Sequence, residues 1–235
     1  MEFNELVKNL NLNLSNDMLK KYDAYFNKLV ETNKVMNLTS ITDKDEVYIK
    51  HFYDSLSLNL AINDLKNIEL CDVGAGAGFP SIPLKIARDD IDVTIIDSLN
   101  KRINFLNDLI NELKLINVKA LHYRAEDYAK ERRESFDVVT GRAVARLNIL
   151  SELCLPLVKV GGLFVAMKSD NKEEIEEANS AISKLGGEII DNINFDLPFD
   201  MGKRTIVVIK KIKKTDIKYP RQFSKIKERP LWAIS

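Results

Sequence analysis

Residues 69–87 read ELCDVGAGAGFPSIPLKIA, an apolar run that breaks into three alternating glycines and then resumes with helical spacing. The pattern is strand, bare-backbone turn, helix. Gly74, Gly76 and Gly78 carry no Cβ, so the turn admits positive φ and lets a ligand lie against the main chain. Pro80 suits the first turn of the following helix, where its missing N–H costs nothing and the free amides form a polar cradle. A lone glycine motif is usually a plain connector, so its surroundings decide the reading.

Nineteen residues after Gly78, the run DVTIID ends in Asp97, at the tip of the next strand. A carboxylate there is placed to accept hydrogen bonds from ribose hydroxyls. Dinucleotide cofactors and S-adenosylmethionine both use a glycine turn followed by an acidic strand end. The dinucleotide fingerprint G-x-G-x-x-G needs glycine at position 79, where this chain has Phe79, whose ring obstructs the close approach of a pyrophosphate. The G-x-G-x-G form favours S-adenosylmethionine.

Further out, strand-like runs at residues 68–73, 93–97, 118–122, 136–140, 162–167, 188–195 and 205–210 alternate with helical stretches, of which LNKRINFLNDLINELKL is the clearest. That is the βαβ signature of a mostly parallel sheet. Only LPFDMGKR separates the last two strands, too short for a crossover helix, so they are expected to pair as an antiparallel hairpin. Residues 15–36, with Ser15 as cap, and 43–60 carry apolar positions at helical spacing ahead of the sheet. The expectation is an α/β chain with a Rossmann-like methyltransferase fold: a helical cap (1–64), a seven-stranded core (65–214) and a basic tail (215–235).

The 235 residues suffice for one full α/β domain with an appendage. No run reaches the roughly 18 apolar residues of a membrane span, and MEFNELVKNLNL lacks a secretory pattern, which leads to the expectation of a cytoplasmic protein. Cys71 and Cys154 lack C-x-x-C spacing and read as small core residues; with only His51 and His122, no metal is expected. The formal net charge is zero, yet residues 203–229 hold eleven basic side chains against Asp216 and Glu228. Tyr219, Phe223 and Trp232 are interleaved among them. Charge alone is equally consistent with a solvated edge, but aromatic rings among cations suit RNA.

The fourth strand ends in FDVVTGRAVA, where an open α/β sheet presents groups to its ligand. There is no Asn-Pro-Pro-aromatic clamp of the kind used on exocyclic amines, and no cysteine in such a loop for attack on a pyrimidine carbon. A nucleophile that already owns an unprotonated lone pair, such as guanine N7, needs only alignment with the sulfonium methyl.

NKVMNLTSI (33–41), HFYDSL (51–56), DVGAGAGFPSIPL, KRINFL (101–106), RAED (124–127), GRAVARL (141–147), GGLFVAMKS and YPR (219–221) together resemble the RsmG family, also called GidB. The resemblance runs nearly end to end. It implies a bacterial 16S rRNA methyltransferase acting on guanine N7 at rRNA position 527, with S-adenosylmethionine as methyl donor. It places cofactor contacts at Gly74, Phe79, Ala125, Glu126 and Arg142, beside Asp97 and the glycine turn. Arg142, Lys168 and Arg204 become the catalytic candidates; Lys168, Arg204, Arg221, His51 and Asn37 become the candidates for substrate RNA. Asp54 and Ser55 match the same motifs in the helical cap. Ser81 and Ser169 stand where the family usually has glycine. The expected partner is 16S rRNA or the small ribosomal subunit, and the expected state is a monomer. The rival readings are a methyltransferase of a small metabolite or protein, and a non-catalytic cofactor-binding ribosome-assembly protein. Steep salt dependence favours RNA over the first rival, and transfer of label from the donor excludes the second.

Overall fold

The computed structural model describes residues 2–169 and 172–231. Two short turns, α1 (Phe3–Val7) and a 3₁₀ turn (Lys8–Leu10), lead into the long helix α2 (Asn16–Met36). Ser15 caps α2 as expected, its hydroxyl accepting from the Met18 amide at 3.3 Å, and the buried Tyr22, Tyr25 and Leu29 form its inward stripe. Asn37 ends it in the left-handed region (φ 50°).

The stretch expected to be helical from residue 43 is helical through Leu56, with a widened turn in its middle. Asp43 caps α3 (Lys44–Val47), a wide π turn follows (Tyr48–Tyr53), and α4 (Asp54–Leu56) completes the run. The extra residue per turn re-aims the side chains after it, a device often found at functional sites. The short α5 (Asn59–Ile62) closes the region.

Strands and helices then alternate: β1 (Glu69–Val73), α6 (Ser81–Ala87), β2 (Asp92–Asp97), α7 (Asn100–Glu112), β3 (Val118–His122), α8 (Ala125–Glu131), β4 (Phe136–Arg142), α9 (Leu147–Cys154), β5 (Val158–Ser169), α10 (Lys172–Lys184), β6 (Gly187–Asp196), β7 (Lys203–Lys211) and α11 (Phe223–Glu228). The sheet order is β3-β2-β1-β4-β5-β7-β6. The first five strands are parallel, while β7 lies antiparallel between β5 and β6, so the expected hairpin is present. The order reverses between β1 and β4, which opens a crevice at the carboxyl ends of those strands.

Two apolar layers cover the sheet. The first joins the N-terminal helices to α6 and α7, with Leu29, Phe52, Ile82 and Leu106 fully buried; the second is built by α8, α9 and α10. Helix α2 also grips the glycine turn and the helix after it through polar contacts: the Tyr25 hydroxyl donates to the Ala77 carbonyl (2.5 Å) and the Tyr22 hydroxyl to the Pro83 carbonyl of α6 (2.7 Å). Burial pushes both phenols well above their ordinary pKa.

Gly78 is required by this packing. Its φ is +103°, and a Cβ there would sit 2.8 Å from the Tyr25 hydroxyl and 2.9 Å from Ile82. Gly78→Ala is therefore expected to cost about 3 kcal/mol through backbone strain and overpacking. That corresponds to a fall in melting temperature of roughly 6–12 °C. A thermal melt with a shift below about 2 °C would contradict this packing.

Candidate functional site

Two clefts meet at the carboxyl end of β4. The first, about 370 Å³, opens over the ends of β1, β2 and β3. Asp97 lies in its wall, buried at the end of β2. Its Oδ2 accepts from the Gly76 amide and from Arg102 Nη1, each at 3.2 Å, and its Oδ1 accepts from the Leu99 amide at 2.9 Å. One carboxylate thus ties the glycine turn to the adjoining strand. Gly74 lines the cleft at φ +73°, and a Cβ there would meet Val144 at 2.8 Å, so the loop after β4 can approach only a bare backbone. Ala125 and Glu126, in the first turn of α8, form the far wall.

Beneath the turn, Asp72 is wholly buried and its Oδ2 accepts from the Ser81 amide at 3.1 Å. Its Oδ1 has no hydrogen-bond partner among the described residues. Burial is the main cause that pushes this carboxyl up to about 7. The folded chain therefore holds that proton more tightly than the unfolded one, and the contribution of Asp72 to stability falls as pH rises from about 4 to about 7.

The second cleft, about 400 Å³, shares Ala143 with the first and is lined by cations from four elements, Lys50 of the π turn, Arg142 of β4, Lys168 of β5 and Arg204 of β7, against the carboxylates Asp54 and Glu174. Arg142 is its centre. Its Nη1 donates to Asp54 Oδ2 (2.9 Å) and to the Lys50 carbonyl (3.2 Å), its Nη2 reaches His51 Nδ1 (3.3 Å), and its guanidinium lies 4.9 Å from the centroid of the Phe79 ring. The π turn makes this possible, since it brings Lys50, His51 and Asp54 to one side. Asp54 Oδ1 accepts from Arg204 Nε at 3.1 Å, so one buried carboxylate holds both guanidinium groups. Lys168 is a brace: its Nζ donates to the Ala145 carbonyl and pairs with Glu174, both at 2.6 Å, pinning the loop after β4 to α10.

An arginine offers only donors, so His51 Nδ1 must be the acceptor and the ring proton sits on Nε2, 2.8 Å from Thr39 Oγ1. Burial, followed by the Arg142 charge, lowers the His51 pKa from 6.5 to about 4. The sign is that of a depressed base: its contribution to stability is complete above pH 6.5 and is lost as pH falls from there to about 4. The His51 ring resonances are expected to stay constant from pH 8 to about pH 5.5 in an NMR titration. A midpoint near 6.5 would show that the ring is neither buried nor beside Arg142 in solution.

Of the other residues expected at the site, Gly76 faces Asp97 through its amide and Gly78 is packed inward against Tyr25. Phe79 lies outside the first cleft, stacked between Tyr25 (5.5 Å) and His51 (4.6 Å) under Arg142. Asn37 serves as the C-terminal cap of α2 and lines neither cleft. Arg221 sits away from both, forked onto the fully buried Glu152. The basic run is also less exposed than its composition implied: Lys211 is buried, donating to the Leu155 carbonyl and Thr215 Oγ1, and burial lowers its pKa to about 8. Trp232 lies outside the described residues. Sequence reasoning missed Thr39, Arg102 and Val144, and it counted Phe223 only among the tail aromatics although the residue lines the first cleft. Thr39, Arg102 and Val144 lie within the quoted motifs but carry no residue chemistry that singles them out, while Phe223 is brought to Glu126 from 97 residues away.

The family described as GidB, rRNA small subunit methyltransferase G, matches residues 18–195. A ribosomal RNA small subunit methyltransferase G of Staphylococcus aureus (strain Newman) is 53% identical over 229 residues, covering 97% of this chain and 96% of the relative. The protein of the same name from Staphylococcus saprophyticus is 52% identical, covering 94% and 93%. Among solved structures, TrmN from Thermus thermophilus superposes with a TM-score of 0.54 at 13% identity over 70% of this chain and 53% of that one. M. jannaschii TYW2 in complex with AdoMet gives 0.50 at 21% identity over 61% and 68%. At these identities the likeness is one of fold.

Proposed function

The chain belongs to the rRNA small subunit methyltransferase G family, and from that premise we propose that it transfers a methyl group from S-adenosylmethionine to N7 of guanine 527 in 16S rRNA. The observation that carries the proposal is the shared wall of the two clefts. A polar cleft built on a glycine turn and a strand-end carboxylate opens, at Ala143, into one lined by guanidinium groups.

The residues of the first cleft suit a nucleoside donor. Gly74 leaves the main chain bare, Asp97 presents a carboxylate at the ribose position, and Ala125 and Glu126 close the adenosine end. Held by these residues, S-adenosylmethionine would supply an electrophilic methyl to an unprotonated lone pair such as that of guanine N7. No proton has to move before transfer, so alignment is the task left to the protein.

Arg142 performs that alignment. Three of its guanidinium N–H groups are engaged by Lys50, Asp54 and His51, and the Phe79 face supports the plane from below, so its direction is set before RNA arrives. Its remaining donors suit guanine O6 or a flanking phosphate. Neutral His51 adds no further charge to this cluster. Arg204, held by the same carboxylate, supplies a second fixed cation for the RNA backbone, and Lys50 a third.

The test is to incubate the protein with methyl-labelled donor and small subunits from cells that lack it, then to map the modified nucleotide. Label is expected on N7 of guanine 527. Label at another nucleotide, or none on RNA, overturns the proposal.

A further inference from the structure

The segment after β7 does more than carry charge. Arg133 fastens its beginning, donating to the carbonyls of Thr215 (2.6 Å) and Tyr219 (2.7 Å). Arg221 then grips Glu152 on α9 with its amide, Nε and Nη2, at 2.6–2.9 Å. Farther on, Asn148 Nδ2 donates to the Leu231 carbonyl at 3.3 Å. Tyr219 joins the second apolar layer and Leu231 packs on it. The chain is thereby strapped across α9 on both sides of α11.

Between those anchors Phe223 behaves differently. It belongs to neither apolar layer and has no aromatic partner among the described residues, yet it is half-buried and lines the first cleft beside Ala125 and Glu126. Its amide donates to Glu126 Oε1 at 3.4 Å, which fixes the start of α11 against the first turn of α8. A phenylalanine whose backbone is anchored at the wall of a nucleoside cleft, next to a carboxylate able to accept from an exocyclic amine, offers a planar stacking surface for a 6-aminopurine.

We propose that Phe223 forms one wall of the donor cleft and stacks on the adenine ring of the methyl donor, so that the C-terminal strap completes the donor site. This rests on the donor reading of the first cleft given above. It separates the tail into two functions: Phe223 faces the donor, while Lys225, Lys227 and Arg229 around it stay on the outer surface, available to RNA.

The test uses calorimetry with S-adenosylhomocysteine, the demethylated product. The wild-type chain is expected to bind it; Phe223→Ala is expected to raise Kd about tenfold or more, and Phe223→Tyr to stay within about threefold, as base–aromatic stacking implies. Phe223→Leu, which keeps apolar bulk without a π face, serves if the alanine variant fails to fold and is expected to lose most of the same affinity. Phe223→Trp in a Trp232→Phe background gives an independent readout, since its indole fluorescence should be quenched saturably by the ligand. A folded alanine or leucine variant that binds as wild type, or an indole indifferent to ligand, overturns the inference. Failure of the wild-type chain to bind the product at all instead overturns the donor reading itself.

Discussion

Arg142→Ala is expected to lower kcat/KM for methyl transfer to small subunits by at least about 100-fold, the scale seen when a preorganised charge is removed from an active site. The same substitution strips one of the two guanidinium partners from the buried Asp54 and leaves Arg204 alone to compensate it, at an expected cost of about 1.5–3 kcal/mol, the scale of a hydrogen bond to a charged group. The two effects separate in the double variant. Arg142→Ala with Asp54→Asn should regain part of the lost stability and none of the activity, because the half-paired carboxylate is gone at the expense of the Arg204 ion pair, and the guanine is still unheld. Arg142→Lys keeps the charge and loses the planar fork that reaches Lys50, Asp54 and His51 at once, so it is expected to stay well below wild type. Single-turnover rates with each variant, alongside thermal melts, provide the measurement. A folded alanine variant within about threefold of wild type removes Arg142 from the reaction.

The largest loss of stability is expected on α9, away from the Arg142 cluster. Glu152 is fully buried on α9 and takes hydrogen bonds from the amide, Nε and Nη2 of Arg221. Arg221→Ala leaves that carboxylate in a dry site with only the backbone amide, at an expected cost of about 3–5 kcal/mol. For a chain of this size that is a fall in melting temperature of roughly 6–20 °C. Were Arg221 chiefly an RNA contact, the melting temperature would hold within about 2 °C. The slope of log affinity against log salt would instead shrink by about one phosphate contact. The measured pair of values distinguishes these outcomes. Glu152→Gln should be milder than Arg221→Ala, since a neutral amide tolerates burial better than an unpaired carboxylate.

The difference between Arg221 and Arg142 shows what residue chemistry reveals and what it conceals. Both are arginines in recognisable motifs, and both looked like site cations. Arg142 stands at the end of a parallel strand beside the switch point, a location that follows from strand order and so from the alternation of strand and helix patterns. The place of Arg221 depends on how an irregular segment folds back on α9, and no periodicity encodes that.

The glycine turn, the strand-end Asp97, the parallel sheet with its antiparallel final pair and the opening cap at Ser15 were all legible in residue order, because each rests on contacts within a few residues or on a hydrophobic period of two or 3.6. Tertiary structure alone decided that Asp54 holds both Arg142 and Arg204, that Thr39 fixes the His51 tautomer, that Lys168 and Lys211 serve as internal braces, and that Phe223 reaches the first cleft. These pairings span up to 150 residues, and the partners are single polar or aromatic side chains without any repeat. What brings them together is the cost of burying a charge without a counterpart, and that cost arises only once the sheet and its two apolar layers have excluded water.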